Sequence, residues 1–386
     1  LRYWARESPE QDLMPSIALV YDRMTPDEGE LFLTAKERNV DLIPLFLKSP
    51  SSEAFSSNLT EFQVAINRCE SRWRAMQAAS ILESFGKQVI NPSGVESLCG
   101  SKIETAKIWL RNGLDVPKWV FIPFPKNPDS SWKERVLSQI EEGLSYPLVL
   151  KPTHGSWGRG VLKIDSKEEL WAAIQEPRAS SINPDGFFVQ EYVPKPGFDL
   201  RILCYKKPFH TPKYLCCIAR VTRSRSEFRT NTHLGGLPLG IDLHRFPTLV
   251  REAEEASGLL QESKDASIIA LDAMPYTAQE KDEALILSLV QNCIPRFEPV
   301  RRIVTENRTR RYADWKKDLE EAFRAYKASE EYKDLKGAIE AILSRARIKW
   351  HEANSRFDFA INTRNATGIN PAYTYLDLAE ESDGST

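Results

Sequence analysis

A mixed α/β and α+β fold, with a small parallel sheet first, antiparallel strands after it and a helical stretch late in the chain, is predicted by three observations on this 386-residue sequence. In the N-terminal third, short apolar runs alternate with helical spacing, the pattern of a parallel sheet with helical crossovers. From Gly186 the runs F-F-V-Q-E-Y-V, D-L-R-I-L-C-Y and K-Y-L-C-C-I-A-R-V follow one another, as two-faced burial of an antiparallel sheet produces. Between residues 277 and 346 the apolar positions recur at three and four instead. A chain of this length exceeds one ordinary core, so two or three packed units are expected.

Taken in order, Ile17–Tyr21 reads as a strand, Asp27–Arg38 as a helix, Asp41–Phe46 and Phe62–Arg68 as strands, and Trp73–Phe85 as a helix. Ligands gather at the carboxyl ends of parallel strands, where Arg68, Glu70 and Arg72 stand, either as a solvated charge cluster or as a clamp on a substrate carboxylate. Asn91-Pro92-Ser93-Gly94 makes a turn. Ser101 caps a helix that Gly113 ends, with Lys102 in its first turn. A lysine there opposes the positive end of the helix dipole, whereas a bound phosphate would be welcomed by both. Asp115–Pro128 is extended and Ser130–Glu142 helical.

Leu148, Val149 and Leu150 form a buried strand that delivers Lys151 to a loop holding Gly155, Gly158 and Gly160. Glycines let successive backbone N–H groups turn inward as an anion nest, and the lysine adds formal charge. An ordinary hairpin carries the same glycines. No G-K-[ST] follows them, which excludes a P-loop. Gly160–Ile164 returns as a strand, and Ser166–Ile174 is a helix opened by the capping pair Ser166 and Glu169. After the three long strands, residues 225–236 form a polar loop. Strand Ser267–Met274 carries Asp272, and strand Arg347–Asn354 carries Glu352 and Asn354 on one face. If these strands pair, three oxygen-bearing side chains converge as a hard-cation site suited to magnesium on nucleotide phosphates. Taken singly, each is an ordinary strand-end residue.

Apolar residues at 41% and charged ones at 27% describe a globular chain, and a net charge of −2 argues against a nucleic-acid coat. No apolar run reaches membrane-spanning length and the first residues lack the apolar core of a secretion signal, so a cytoplasmic protein is expected, without membrane or nucleic-acid partners. The six cysteines show no C-x-x-C spacing and read as reduced packing residues.

Five ordered segments carry a family likeness: C-G-S-K-I-E-T-A-K (99–107), V-L-K-P-T-H-G-S-W-G-R-G-V (149–161), Q-E-Y-V-P-K-P-G-F-D-L-R (190–201), F-R-T-N-T-H-L-G-G (228–236), and E-A-N with T-G-I-N (352–354, 367–370). Together they resemble the ATP-grasp carboxylate–amine ligases, in the branch of the ribosomal-protein glutamate ligase RimK and the α-aminoadipate–carrier-protein ligase LysX. Y-D-R (21–23) and N-R-C-E-S-R (67–72) extend the likeness to the N-terminus. The resemblance implies a three-part ATP-grasp architecture. Residues 1–95 would be an N-terminal parallel α/β domain and 96–188 a small α+β lid lobe with the glycine loop. Residues 189–276 and 347–386 would form an antiparallel C-terminal lobe with the metal site, and 277–346 a helical insertion.

The resemblance also implies roles. Lys102 and Lys151 would hold ATP phosphates, with Gly155, Ser156, Trp157, Gly158, Arg159 and Gly160 closing over them. Glu191, Tyr192 and Val193 would form the hinge against adenine, Asp199 would lie beside the ribose, and Arg229 with Asn231 near the phosphates. Asp272, Glu352 and Asn354 would bind two magnesium ions, with manganese as a substitute. Arg201 would steady the anionic intermediate, and Arg220 and Arg223 are further catalytic candidates between which the motif does not choose. Arg68 and Arg72 remain the substrate candidates.

The expected activity is ATP-dependent: a carboxylate of an amino acid or peptide is activated as an acyl phosphate and joined to an amine, with ADP and phosphate released. A nucleotide-binding regulatory or scaffold protein acting through its insertion is the alternative, and a small-molecule kinase a third option. In the relatives a short connection joins the aspartate strand to the E-x-N strand, where this chain has residues 277–346. There Tyr312, Trp315, Leu319, Phe323 and Tyr326, then Leu335, Ile339 and Ile342, keep helical spacing. Before them Arg296, Arg301, Arg302, Arg308, Arg310 and Arg311 make a basic cluster. A solvent-facing helical hairpin is one expectation; docking of an acidic peptide or carrier protein, or an oligomer contact within a dimer or tetramer, is the other.

Overall fold

The computed structural model describes residues 16–48, 61–123, 130–155, 158–175, 186–224, 227–232, 235–277 and 279–382, and in it the chain forms three sheets. The first is parallel, with β1 (Ile17–Tyr21), β2 (Leu42–Phe46), β3 (Val64–Asn67) and β4 (Gln88–Ile90) in the order β2-β1-β3-β4. Its crossover helix Pro26–Glu37 begins where the sequence offers a capping box, Thr25 with Glu28, and a proline in the first turn. β4 and the helix Ser93–Cys99 replace the turn expected at 91–94. Three residues of strand are too few to show a period.

The second sheet is antiparallel. It joins β5 (Trp119–Pro123), β6 (Leu148–Pro152), β7 (Leu162–Ile164) and β8 (Gly186–Glu191) in the order β5-β8-β6-β7. Gly186, at φ 138, lets β8 approach β5 closely; a Cβ there would lie 2.1 Å from the Ile122 carbonyl oxygen. Helices Ser130–Gly143 and Lys167–Gln175 cover the sheet through Val136, Ile140, Leu170 and Ile174.

The third sheet comprises β9 (Phe198–Lys206), β10 (Lys213–Val221), β11 (Leu237–Ile241), β12 (Ser267–Tyr276) and β13 (Arg347–Asn354), in the order β11-β10-β9-β12-β13. β12 runs antiparallel to both β9 and β13, so the intervening stretch does not separate the two strands. That stretch is not the solvent-facing hairpin expected. Helices Glu280–Glu306, Lys316–Ala328 and Glu330–Leu343 bury Ile286, Val290, Phe297, Leu319, Phe323, Leu335 and Ile339 in the same core as the third sheet. The Gly240 N–H of β11 donates to the Tyr332 hydroxyl at 3.1 Å, and Lys316 pairs with Glu30 of the N-terminal unit at 3.0 Å. The first of these helices was hidden from sequence reading by Pro295 and Pro299. Both prolines are exposed residues on its outer face. All six cysteines are buried free thiols, as expected.

Candidate active site

The register of the third sheet assembles the charged core of the site. Asp199 and Arg201 lie two apart on β9 and so share a face. β10 sets Arg220 opposite Asp199, β12 sets Asp272 opposite Arg201, and β13 sets Glu352 opposite Asp272. The pairs close into ion pairs. Arg220 holds Asp199 through Nε–Oδ1 at 2.7 Å and Nη2–Oδ2 at 2.9 Å, and Arg201 holds Asp272 through two bonds of 2.9 Å. Arg220 Nη2 also stands 3.2 Å from Asp272 Oδ2, and the Asn354 amide donates to the same oxygen at 3.4 Å. Burial pushes Asp272 up, but the guanidinium groups of Arg201 and Arg220 outweigh it and hold the carboxyl well below its usual range. Burial is likewise outweighed at Glu352, chiefly by Lys102.

Lys102 enters from the helix Lys102–Arg111, whose cap is Ser101 as the sequence indicated; the Ser101 hydroxyl accepts from the Glu104 N–H at 3.3 Å. Its ammonium donates to the Gly155 carbonyl and to Glu352 Oε1, each at 3.0 Å. Lys151 stands at the end of β6, 7% exposed, and burial lowers it to about 7, with Glu352 opposing that fall and Lys102 adding to it. Gly158 and Gly160 take φ of 63 and 68, the left-handed region that favours glycine. Arg229, held by Glu227 at 2.8 Å, reaches the Gly158 carbonyl at 3.2 Å and ties the loop to the third sheet's side of the cleft.

One pocket between the second and third sheets collects most of the expected residues: Lys102, Lys151, Gly155, Gly158, Arg159, Tyr192, Val193, Asp199, Arg201, Arg220, Arg229, Asn231, Asp272, Glu352 and Asn354. Ser156 and Trp157 lie outside the described residues. Gly160 and Glu191 adjoin the pocket without lining it, and Glu191 pairs with Lys349 at 3.0 Å. Two hinge N–H groups, of Glu191 and Tyr192, are already committed to the Lys118 and Pro147 carbonyls, so less of the hinge backbone is free for a base than expected. Asp199 lines the pocket, but its carboxylate accepts from Arg220 and the Thr230 hydroxyl and lies 3.6 Å from Lys195, so it orients Arg220. Of the two arginine candidates, Arg220 is in the pocket and Arg223 is outside it, against Gly235.

The substrate candidates are placed elsewhere. Arg68 is fully buried, bonded to Asp27, Glu28, the Phe357 carbonyl and the Tyr375 hydroxyl at 3.0–3.3 Å, with Phe359 beneath it. It fastens the N-terminal sheet to the C-terminal segment and has no face left for a substrate clamp. Arg72 packs on Gly100, where a Cβ would lie 2.0 Å from its Nε, and donates to the Ser97 carbonyl at 3.3 Å. Residues not anticipated also line the pocket: Gln190, Lys195, Phe228, Thr230, Met274 and His351. Lys195 was visible in the hinge segment P-K-P, and His351 beside Glu352, but neither spacing distinguishes them from surface residues.

Seven cationic side chains line the pocket against three carboxylates, an excess that suits a polyphosphate. The apolar Val149, Val193 and Met274 supply surface for a base. Asp272, Glu352 and Asn354 offer only oxygen ligands, the chemistry of a magnesium site, although in this structure Arg201, Arg220 and Lys102 balance the carboxylates. Among the described residues no three His, Cys, Asp or Glu side chains converge on one point.

Three sheets in this order, with a glycine loop over a cationic cleft between the second and third, define an ATP-grasp protein. Residues 17–98 match the LysX preATP-grasp domain and residues 99–255 the RimK-like ATP-grasp domain. The chain therefore belongs to the RimK/LysX-like branch of the ATP-grasp superfamily, whose ligases use ATP and magnesium. It is 34% identical over 194 residues to the α-aminoadipate–LysW ligase LysX of Saccharolobus solfataricus, covering 49% of this chain and 65% of that protein, just under two thirds of its length. It is 29% identical over 265 residues to the glutamate–LysW ligase ArgX of Sulfolobus acidocaldarius, covering 68% of this chain and 86% of that one. In fold it is similar to the biotin carboxylase domain of the Hydrogenobacter thermophilus 2-oxoglutarate carboxylase. That match has a TM-score of 0.59 and 12% identity, and covers 94% of this chain and 69% of that one. Among the described residues no helix is long and apolar enough to cross a membrane.

Proposed function

We propose that the protein is an ATP-dependent ligase that activates a carboxylate of an amino acid or peptide and joins it to an amine, forming an amide. The observation that carries this reading is the convergence of Lys102, Lys151, Asp272, Glu352 and Asn354 in one cleft from four separate segments. ATP supplies the phosphoryl group that turns the carboxylate into an acyl phosphate, and attack by the amine releases phosphate. Lys102 and Lys151 neutralise the phosphates, the loop from Gly155 to Gly160 excludes water, and Arg201 with Arg220 faces the developing oxyanion. Asp272, Glu352 and Asn354 hold two magnesium ions, with manganese able to replace them. The complete set of charged groups disfavours a regulatory protein that has lost ligation, and no observation favours it.

A carrier protein or peptide as one substrate accords with the relatives that act on LysW, and the exposed Arg296, Arg301, Arg302, Arg308, Arg310 and Arg311 provide a basic surface for an acidic one. The domain division expected from sequence, a dimeric or tetrameric state and a cytoplasmic site belong to the same proposal. The test is incubation with magnesium-ATP and candidate acid and amine pairs. ADP and phosphate should form only when both are present; release of AMP and pyrophosphate would contradict the mechanism.

A further inference from the structure

The register between β12 and β13 slips at one point: Asp272 faces Glu352, but Ala273 faces Trp350, so His351 is an extra residue with no partner on β12. Strict alternation would turn His351 away from the side that Glu352 occupies. The slip instead gives the pocket two consecutive residues of β13, and both His351 and Glu352 line it. The His351 ring nitrogens, Nδ1 and Nε2, are shielded from solvent and neither has a hydrogen-bond partner. Desolvated ring nitrogens left unpaired cost stability, and a residue there for packing alone has no need of them. Their position along the strand is informative. Lys349, two residues before, pairs with Glu191 of the hinge at 3.0 Å, while Glu352, one residue after, pairs with Lys102 of the phosphate end.

We propose that His351 is a nucleotide contact, with an imidazole N–H donating to an oxygen of the ribose or of the phosphate next to it. This rests on the nucleotide reading of the pocket and adds to it a residue that no motif marks. A role as cation ligand is less suited, since magnesium prefers oxygen ligands.

The test is calorimetric titration of the full chain, in magnesium buffer, with ADP and with AMP, for wild type, His351→Ala and His351→Asn. Loss of one buried hydrogen bond should weaken ADP about fivefold in His351→Ala, and equally AMP, which keeps the ribose and the first phosphate. His351→Asn retains a donor and should recover most of the affinity, with melting temperatures of the free variants within about a degree of wild type. Equal ADP affinity in wild type and His351→Ala overturns the contact while leaving the nucleotide site standing, and so does a deficit seen with ADP but absent with AMP. Failure of wild type to bind ADP overturns the site and the contact together.

Discussion

Lys151 should act on stability and on nucleotide binding in opposite directions. The residue is 7% exposed, and the fall of its ammonium from 10.5 to about 7 comes first from burial. At 1.36 kcal/mol per pH decade that fall corresponds to about 5 kcal/mol of unfavourable charge burial. Below pH 7 the lysine is charged in folded and unfolded chains alike, so the whole cost falls on the folded state. Between pH 7 and 10.5 the folded chain gives up the proton first and the cost fades, so stability from this group rises with pH. Lys151→Met removes the charge and keeps the length. With about half the cost recovered after relaxation around the site, the free variant should gain about 2–3 kcal/mol at pH 6, a rise of about 3 °C in Tm for a chain of this size. The gain should shrink toward pH 10. Magnesium-ADP affinity should fall by about 3 kcal/mol, roughly 150-fold, because the phosphates lose a buried cation. Differential scanning calorimetry at pH 6 and 9, with isothermal titration of ADP, measures both. A variant less stable than wild type at pH 6 that binds ADP normally would refute the assignment.

Other expectations follow from the same geometry. Gly158→Val places a β-branched residue at φ 63, with its Cβ 3.4 Å from Arg229 Cδ and Asn231 Oδ1. The loop should close poorly, and the ratio of ADP formed to amide formed should rise above one as water reaches the intermediate. Asp272→Asn leaves the buried Arg220 and its neighbour Arg201 with one carboxylate fewer, at a stability cost of about 2–3 kcal/mol. Turnover should drop about 100-fold or more at saturating magnesium in the ADP-release assay. Arg68→Met takes a buried cation from Asp27 and Glu28, leaving Glu28 with Arg356 and Asp27 with the Phe359 and Ala360 N–H groups, and should cost about 3–5 kcal/mol in denaturant unfolding. ADP affinity of the folded variant should stay within about twofold of wild type. A substrate clamp would show the reverse, with stability intact and the acid's KM raised.

How much of this was legible in the sequence depended on whether a residue's partner was near or far. Ser101, Lys102 and the glycines after Lys151 sit at a helix start and a strand-to-loop step, local features whose positions followed from spacing, although the partners of Lys102 and Gly158 are remote in sequence. The pairing of Asp272 with Glu352, conditional in the sequence, also survived an inserted stretch, because a continuous apolar run marked the strand of Asp272 and the two-residue spacing of Glu352 and Asn354 put them on one face of the other. Arg68 was misplaced because its surroundings come from Asp27 and Glu28 some forty residues earlier and Tyr375 three hundred later. Nothing at position 68 separates a clamp from a buried tie. Arg220 and Arg223 were indistinguishable until β10 was set in register against β9. His351 was hidden because a two-residue period places it away from Glu352, and only the register slip turns it inward. The helix Glu280–Glu306 was hidden by two prolines whose outward orientation is a property of the packing.

The central claim is that phosphoryl transfer to a carboxylate precedes amide formation, and the fate of a carboxylate oxygen tests it most directly. An acid substrate labelled with ¹⁸O in its carboxyl group, incubated with magnesium-ATP and the amine, should deliver one ¹⁸O to each inorganic phosphate released, seen as an isotope shift in the ³¹P spectrum. Unlabelled phosphate beside newly formed amide, or label appearing in AMP, would contradict it.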